Sequence, residues 1–70
     1  MTTINLHGLP YTAASPSLFY QVGYPVTIGF DGAAWLIAVR GVWGLREFST
    51  RDEAAAIVAT AFTTARENLG

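Results

Sequence analysis

The stretch VTIGFDGAAWLIAV, residues 26–39, decides the fold because it predicts a β-hairpin folded at Asp31 and Gly32. A type I′ turn needs positive φ at both central positions, which Gly adopts freely and Asp tolerates better than most residues. Directly opposite side chains of an antiparallel pair share one face, so this turn predicts a single apolar face. The predicted pairs are Phe30 with Ala33, Ile28 with Trp35, and Val26 with Ile37.

The segment Ser17 to Val22 predicts a preceding strand, joined to the hairpin by a three-residue turn at Gly23, Tyr24 and Pro25. The register of this turn places the same alternating set on the apolar face, so the two turns agree on a three-stranded meander. The predicted pairs are Val22 with Val26, Tyr20 with Ile28, and Leu18 with Phe30. The opposite, outer face then carries Phe19, Gln21, Thr27, Gly29, Ala34, Leu36, Ala38 and Arg40.

The segment 40–48 predicts a fourth strand or a short return, and two turns fit it. A four-residue loop Gly41–Gly44 leaves Trp43 at a hairpin tip in solvent. A three-residue loop Arg40–Val42 pairs Trp43 with the preceding strand and places it in the core. We favour the four-residue loop because two Gly bracket it and Phe48 then lies on the core face.

The first 16 residues predict a short edge strand at Ile4 to Leu6, followed by a loop. Pro10 and Pro16 fix φ and donate no ladder hydrogen bond, so regular structure is not expected between them. This segment is one candidate to cover the outer sheet face.

The motif that begins at Thr50 and ends at Glu53 predicts the start of a helix. It is a capping box, in which the Thr50 hydroxyl accepts the N–H of Glu53 and the Glu53 carboxylate accepts the N–H of Thr50. An apolar stripe at helical spacing predicts one face packed on the sheet, with Phe62 near Trp35 and Ile28. The stripe consists of Ala54, Ile57, Val58, Ala61, Phe62, Ala65 and Leu69.

These elements predict an α+β fold in a single domain of residues 1–70. Its sheet is a three- to four-stranded antiparallel β-meander, with one C-terminal α-helix packed on one face in the order β-β-β-(β)-α. Seventy residues form a small core, and the chain has no Cys for a disulfide, which makes association with a second chain a plausible source of stability. No segment is apolar enough to span a membrane and no signal peptide is evident, so we expect a cytoplasmic protein.

Charge is sparse, with four Arg, no Lys and five acidic residues. Affinity for nucleic acid rests on cations that neutralise phosphates, so direct nucleic-acid binding is not expected. The strand-and-helix topology resembles sheet-reading DNA-binding domains, such as the integrase arm-binding and plant AP2-type domains. The predicted outer face holds one cation, Arg40, where a reader of the major groove needs several. A sheet-based DNA-binding regulator is therefore the alternative hypothesis.

No catalytic, cofactor or metal site is predicted. His7 is the only side chain that titrates near neutrality, and no nucleophile motif surrounds it, so we interpret it as a surface residue. The acidic residues have structural roles available in a turn, a strand and a helix cap. The chain is therefore predicted to be non-enzymatic and to act by binding another protein.

Two surfaces are candidates for partner binding. Phe19, Leu36 and Arg40 lie on the predicted outer face, where a contiguous apolar patch is typical of an interface. Tyr24, Val42 and Trp43 lie at predicted loop tips, and Trp and Tyr are common interface anchors. Near the helix start, the acidic residues Glu47, Asp52 and Glu53 offer a small negative surface, with helix capping as their alternative role.

In size, charge, compact sheet-plus-helix architecture and lack of a catalytic motif, the chain resembles small accessory proteins of phages and mobile elements, among them anti-CRISPR proteins. The resemblance is one of class, so no residue role is carried over. It implies an inhibitor that binds a subunit of a bacterial CRISPR surveillance complex in the host cytoplasm and blocks target DNA recognition. A further alternative is a small structural or assembly protein that dimerises through the Phe19 and Leu36 face.

Overall fold

The computed structural model describes residues 2–69, without the side chains of residues 66, 68 and 69. It shows an α+β fold in which one antiparallel sheet has six strands in chain order and the helix follows at the C-terminal end. The predicted class and helix are confirmed, whereas the predicted number of strands is too low. The elements are β1 (Thr2–Leu6), β2 (Leu9–Ser15), β3 (Leu18–Gln21), β4 (Val26–Phe30), β5 (Trp35–Val39), β6 (Val42–Trp43) and α1 (Arg51–Leu69).

The hairpin of β1 and β2 replaces the loop that was predicted in the first 16 residues. His7 and Gly8 have φ of 51° and 81°, and they form the two-residue turn between the strands. Pro10 is tolerated in β2 because its backbone faces β3, where its carbonyl oxygen accepts the N–H of Val22 at 3.0 Å. The N-terminal segment therefore extends the sheet instead of covering its outer face.

The hairpin of β4 and β5 turns one residue later than predicted. The N–H of Asp31 donates to the carbonyl of Ala34 at 3.1 Å, so the turn is centred on Gly32 and Ala33. Gly32 alone of these residues has a positive φ, of 100°. The Asp31 carboxylate accepts the N–H groups of Ala34 and Ala33, both at 2.8 Å, and these bonds lower its pKa.

The register of β4 and β5 is consequently shifted by two residues, so that Ile28 opposes Ile37 and Phe30 opposes Trp35. Side chains alternate between faces with a period of two, so an even shift leaves every residue on its predicted face. The apolar face predicted for this hairpin is therefore correct, although its pairing is not.

The strand β3 lies one residue away from its predicted register, and Phe19, not Tyr20, opposes Ile28. A shift of one residue moves every side chain to the other face. Phe19 is only 3% exposed and Gln21 is also buried, whereas Tyr20 is exposed on the outer face. The assignment of Phe19 to an outer binding surface is wrong, because the connection from Val22 to Pro25 has four residues instead of three.

The turn between β5 and β6 is shorter than either predicted loop. Arg40 and Gly41 have φ of 54° and 80°, as a type I′ turn requires, and Val39 opposes Val42. The type I′ turn expected at Asp-Gly is thus found here instead. Arg40 lies in this turn and not on the outer face.

Trp43 lies across the outer face of the sheet above Gly29. A Cβ atom at Gly29 would be 2.8 Å from Cη2 of Trp43, so the indole occupies the space that a larger residue would fill. Trp43 therefore lies neither in the core nor at a loop tip.

The chain returns along β5 after β6, and Phe48 forms an isolated bridge with Trp35 through two backbone hydrogen bonds of 2.9 Å. Phe48 is buried, as the preferred loop predicted. Trp35 is partly buried and packs against the core, with its ring tilted against those of Phe19 and Phe30 at centroid distances of 6.1 and 5.3 Å. The aromatic partner of Phe62 is Tyr24, edge-on at 4.7 Å, in place of the predicted contact with Trp35.

The helix start matches the predicted capping box in part. The hydroxyl of Thr50 accepts the N–H of Glu53 at 3.1 Å, but the Glu53 carboxylate accepts the N–H of Ser49 at 3.0 Å, one residue earlier than predicted. Among the described side chains of α1, Ala54, Ala55 and Val58 are buried. The predicted stripe member Leu69 lies outside the described side chains.

Candidate protein-binding groove

An apolar groove with a volume of about 470 Å³ runs between α1 and the ends of β4 and β5. We call it the helix–sheet groove. It is lined by Tyr24, Pro25, Val26, Ile37, Val39, Arg40, Ile57, Val58, Ala61, Phe62 and Ala65.

The helix wall of the groove is formed by Ile57, Ala61 and Ala65, which follow one another at four-residue spacing. These residues belong to the stripe that was predicted to pack on the sheet, yet Ala61 and Ala65 are exposed and Ile57 is 38% exposed. The sheet therefore does not fully cover this side of α1.

The sheet wall of the groove is formed by large side chains that remain accessible. Tyr24 is 55% exposed and Val39 is 50% exposed. The edge-on contact of Tyr24 with Phe62 joins this wall to the helix. Val42 opposes Val39 and shares its face, so this very exposed side chain extends the apolar surface past the turn.

Among the side chains that the structure describes, Arg40 is the only charged one that lines the groove. The lining offers neither a carboxylate for acid–base chemistry nor a row of cations for phosphates. Burial of apolar area is therefore the main interaction that the described lining can provide.

The predicted partner-binding residues separate into three places. Tyr24 and Arg40 line the groove, and Val42 adjoins it. Leu36 and Trp43 lie together on the outer face, beside a second, more polar hollow. Phe19 is in the core, where the guanidinium of Arg51 lies 4.9 Å from its ring centroid.

Ile57 and Phe62 were not predicted as groove residues because they were assigned to the stripe packed on the sheet, and Val39 was given no role. No signal in the sequence marks which part of the stripe stays exposed, because that depends on how α1 lies on the sheet. Sequence alone could not place Tyr24 beside Phe62, because that contact depends on the true length of the connection from Val22 to Pro25.

The acidic candidates Glu47, Asp52 and Glu53 are all exposed, and two of them also make hydrogen bonds. Nε2–H of His7 donates to Oδ1 of Asp52 at 2.9 Å, which fastens the β1–β2 turn to the helix start. Glu53 binds the N–H of Ser49, and Glu47 is exposed. Within residues 2–69, no three His, Asp or Glu side chains come together as metal ligands.

Comparison with protein-family models, curated proteins and solved structures gives no match. In the described part of the chain, α1 is too polar to cross a membrane.

Proposed function

We propose that this chain is a non-enzymatic protein-binding module that accepts an amphipathic helix of a partner protein in the helix–sheet groove. The observation that carries this proposal is the exposure of three large apolar side chains, Tyr24, Val39 and Ile57, around one continuous groove. Clustered apolar exposure of this kind is typical of interaction sites on small proteins.

A helix suits the shape of the groove. Ala61 and Ala65 are small, so they allow a second helix to approach α1 closely, at an axis separation of about 8 Å. From Ile57 to Ala65 the wall rises by about 12 Å, which matches two turns of a partner helix with apolar residues at i, i+3, i+4 and i+7. Tyr24 and Val39 would contact the far side of that helix.

Site-specific photocrosslinking in bacterial lysate tests the proposal. A benzophenone side chain placed at Ala61 should crosslink a partner, because this position lies inside the groove. The same group at Thr64, which is exposed on α1 and does not line the groove, is the matched control. The substitution Ile57→Glu should abolish the crosslink at position 61 while circular dichroism remains native. Equal crosslinking from both positions, or survival of the crosslink in Ile57→Glu, would place the interface elsewhere.

The class of partner is proposed from the resemblance to anti-CRISPR proteins, which implies a subunit of a CRISPR surveillance complex. Band-shift assays of target DNA with purified surveillance complexes test this proposal. Inhibition by the native chain, and its loss in Ile57→Glu, would support the proposal. If every complex assayed still binds target DNA in the presence of the native chain, a CRISPR surveillance complex is not the partner. That result would not bear on the groove, which the crosslinking experiment tests separately.

A further inference from the structure

The edge of the sheet formed by β1 has no neighbouring strand within residues 2–69. The other edge is protected, since β6 pairs with part of β5 and Phe48 forms a bridge with Trp35. Natural sheets protect long edges with charged residues, Pro or bulges. Thr2–Leu6 contains no charged residue and no Pro, and its register with β2 is unbroken.

The backbone groups of Thr3 and Asn5 face this free edge. The two-residue turn makes the first pair of the β1–β2 ladder hydrogen-bonded, and such pairs alternate along the strands. Asn5 therefore opposes Pro10 in a non-hydrogen-bonded pair, which agrees with the donation of the Val22 N–H to Pro10 from the other side. Thr3, two residues before Asn5, likewise opposes Thr12 in a non-hydrogen-bonded pair, so its N–H and C=O also face the free edge.

We propose that β1 pairs antiparallel with β1 of a second copy of this chain, about a two-fold axis at Ile4, and joins the two sheets into one. In this register Thr3 of each copy opposes Asn5 of the other. Each opposed pair exchanges two backbone hydrogen bonds. Ile4, which is half-buried against the core, then meets its own copy and extends the core across the axis.

Two copies of β1 pair better in this register than in the adjacent registers. Opposed residues must share a face, which restricts the axis to Thr3, Ile4 or Asn5. Only the axis at Ile4 pairs the two outward-facing residues with each other. The pairing opposes no like charges, and the Asn5 side chain is already held by the Gly8 N–H at 2.9 Å, so it does not obstruct the edge.

Cysteine crosslinking tests both the contact and its register, because the native chain has no Cys. In a non-hydrogen-bonded pair the Cα atoms are about 4.5 Å apart, within the range of a disulfide. Ile4→Cys should therefore form a disulfide-linked dimer as the main product in glutathione buffer. Thr3→Cys, which opposes Asn5 and not itself, should give little. Equal crosslinking by the two variants, or more by Thr3→Cys, would overturn the proposal.

Sedimentation equilibrium supplies a second measurement on chains without Cys. Thr3→Pro removes an outward-facing N–H that the β1–β2 ladder does not use, and Thr3→Val keeps that N–H as the control. Because the two-fold axis doubles the loss, Thr3→Pro should raise the dimer dissociation constant about tenfold or more, whereas Thr3→Val leaves it unchanged. A native chain that stays monomeric at about 1 mM would overturn the proposal. Equal association of Thr3→Pro and Thr3→Val would do the same.

Discussion

Tyr11 is the largest side chain that the fold buries completely, and its hydroxyl has no hydrogen-bond partner within the described chain. It lies on the core face of β2, opposite Gln21, whose amide also lacks a partner. A buried hydroxyl without a partner loses its bonds to water and gains nothing in exchange. The substitution Tyr11→Phe removes the hydroxyl and keeps the ring, so it should stabilise the protein.

The free energy of unfolding should rise by about 1–2 kcal/mol. This is toward the lower end of the cost of an unsatisfied buried hydroxyl, because the small void that replaces the hydroxyl offsets part of the gain. In a domain of this size, 1 kcal/mol corresponds to a rise in Tm of roughly 4–8 °C. Tyr20→Phe is the matched control, since Tyr20 is exposed on the outer face and its hydroxyl is solvated. That variant should leave Tm unchanged.

Alkaline pH gives an independent test of the same burial. Desolvation raises the pKa of Tyr11 to about 12 from its ordinary value of 10. Between these values the unfolded chain releases a proton that the folded chain keeps, so stability falls as pH rises, by about 2–3 kcal/mol in total. Tyr11→Phe should remove this part of the decline.

Thermal melts followed by circular dichroism at neutral pH, and urea titrations from pH 9 to 12, measure both effects. Loss of Tm in Tyr11→Phe, or an alkaline decline as steep as that of the native chain, would refute the reasoning. The first result would mean that the hydroxyl has a stabilising partner, and the second that burial does not raise the pKa of Tyr11.

Three further substitutions test the packing. Gly29→Ala should destabilise by about 1–3 kcal/mol although Ala suits a strand better than Gly, because its Cβ meets Trp43 at 2.8 Å; the penalty should vanish when Trp43→Ala is added in a double-mutant cycle. Thr50→Ala should lower the free energy of unfolding by about 1 kcal/mol through loss of the N-cap, measured in urea against Thr60→Ala, and equal stability of the two variants would contradict this. Trp35→Ala should cost about 3–5 kcal/mol and unfold the domain at room temperature, since Trp35 packs between two Phe rings, and a folded circular dichroism spectrum would count against that packing.

The parts of the fold that depend on local chemistry could be predicted from the sequence. The N-cap at Thr50 follows from one hydroxyl and the residue three positions later, and it lies where the pattern predicted it. The core face of the β4–β5 hairpin was also correct, although Asp31 acts through its carboxylate and not through a positive φ. An even error in register cannot move a side chain between faces.

The parts of the fold that change when a loop is one residue longer or shorter could not be predicted. The connection between β3 and β4 begins at Val22 and is one residue longer than predicted, which places Phe19 in the core. No local preference of the residues distinguishes the two lengths. Pro10 was expected to prevent a strand because its tolerance depends on a tertiary contact, the acceptance of the Val22 N–H by its carbonyl. The groove likewise depends on tertiary packing, since α1 lies on the sheet so that Ile57, Ala61 and Ala65 stay accessible.

Isothermal titration calorimetry with the crosslinked partner tests the central claim most directly. It measures the affinity of the partner for the native chain and for the variants Ile57→Glu and Thr64→Glu. Both substitutions add one negative charge to an exposed position of α1, but only Ile57 lines the groove. Ile57→Glu should raise Kd at least about tenfold, because it replaces an apolar contact by a charge that loses its water, and Thr64→Glu should leave Kd unchanged. Equal Kd values for the two variants would contradict the claim that this groove is the binding surface.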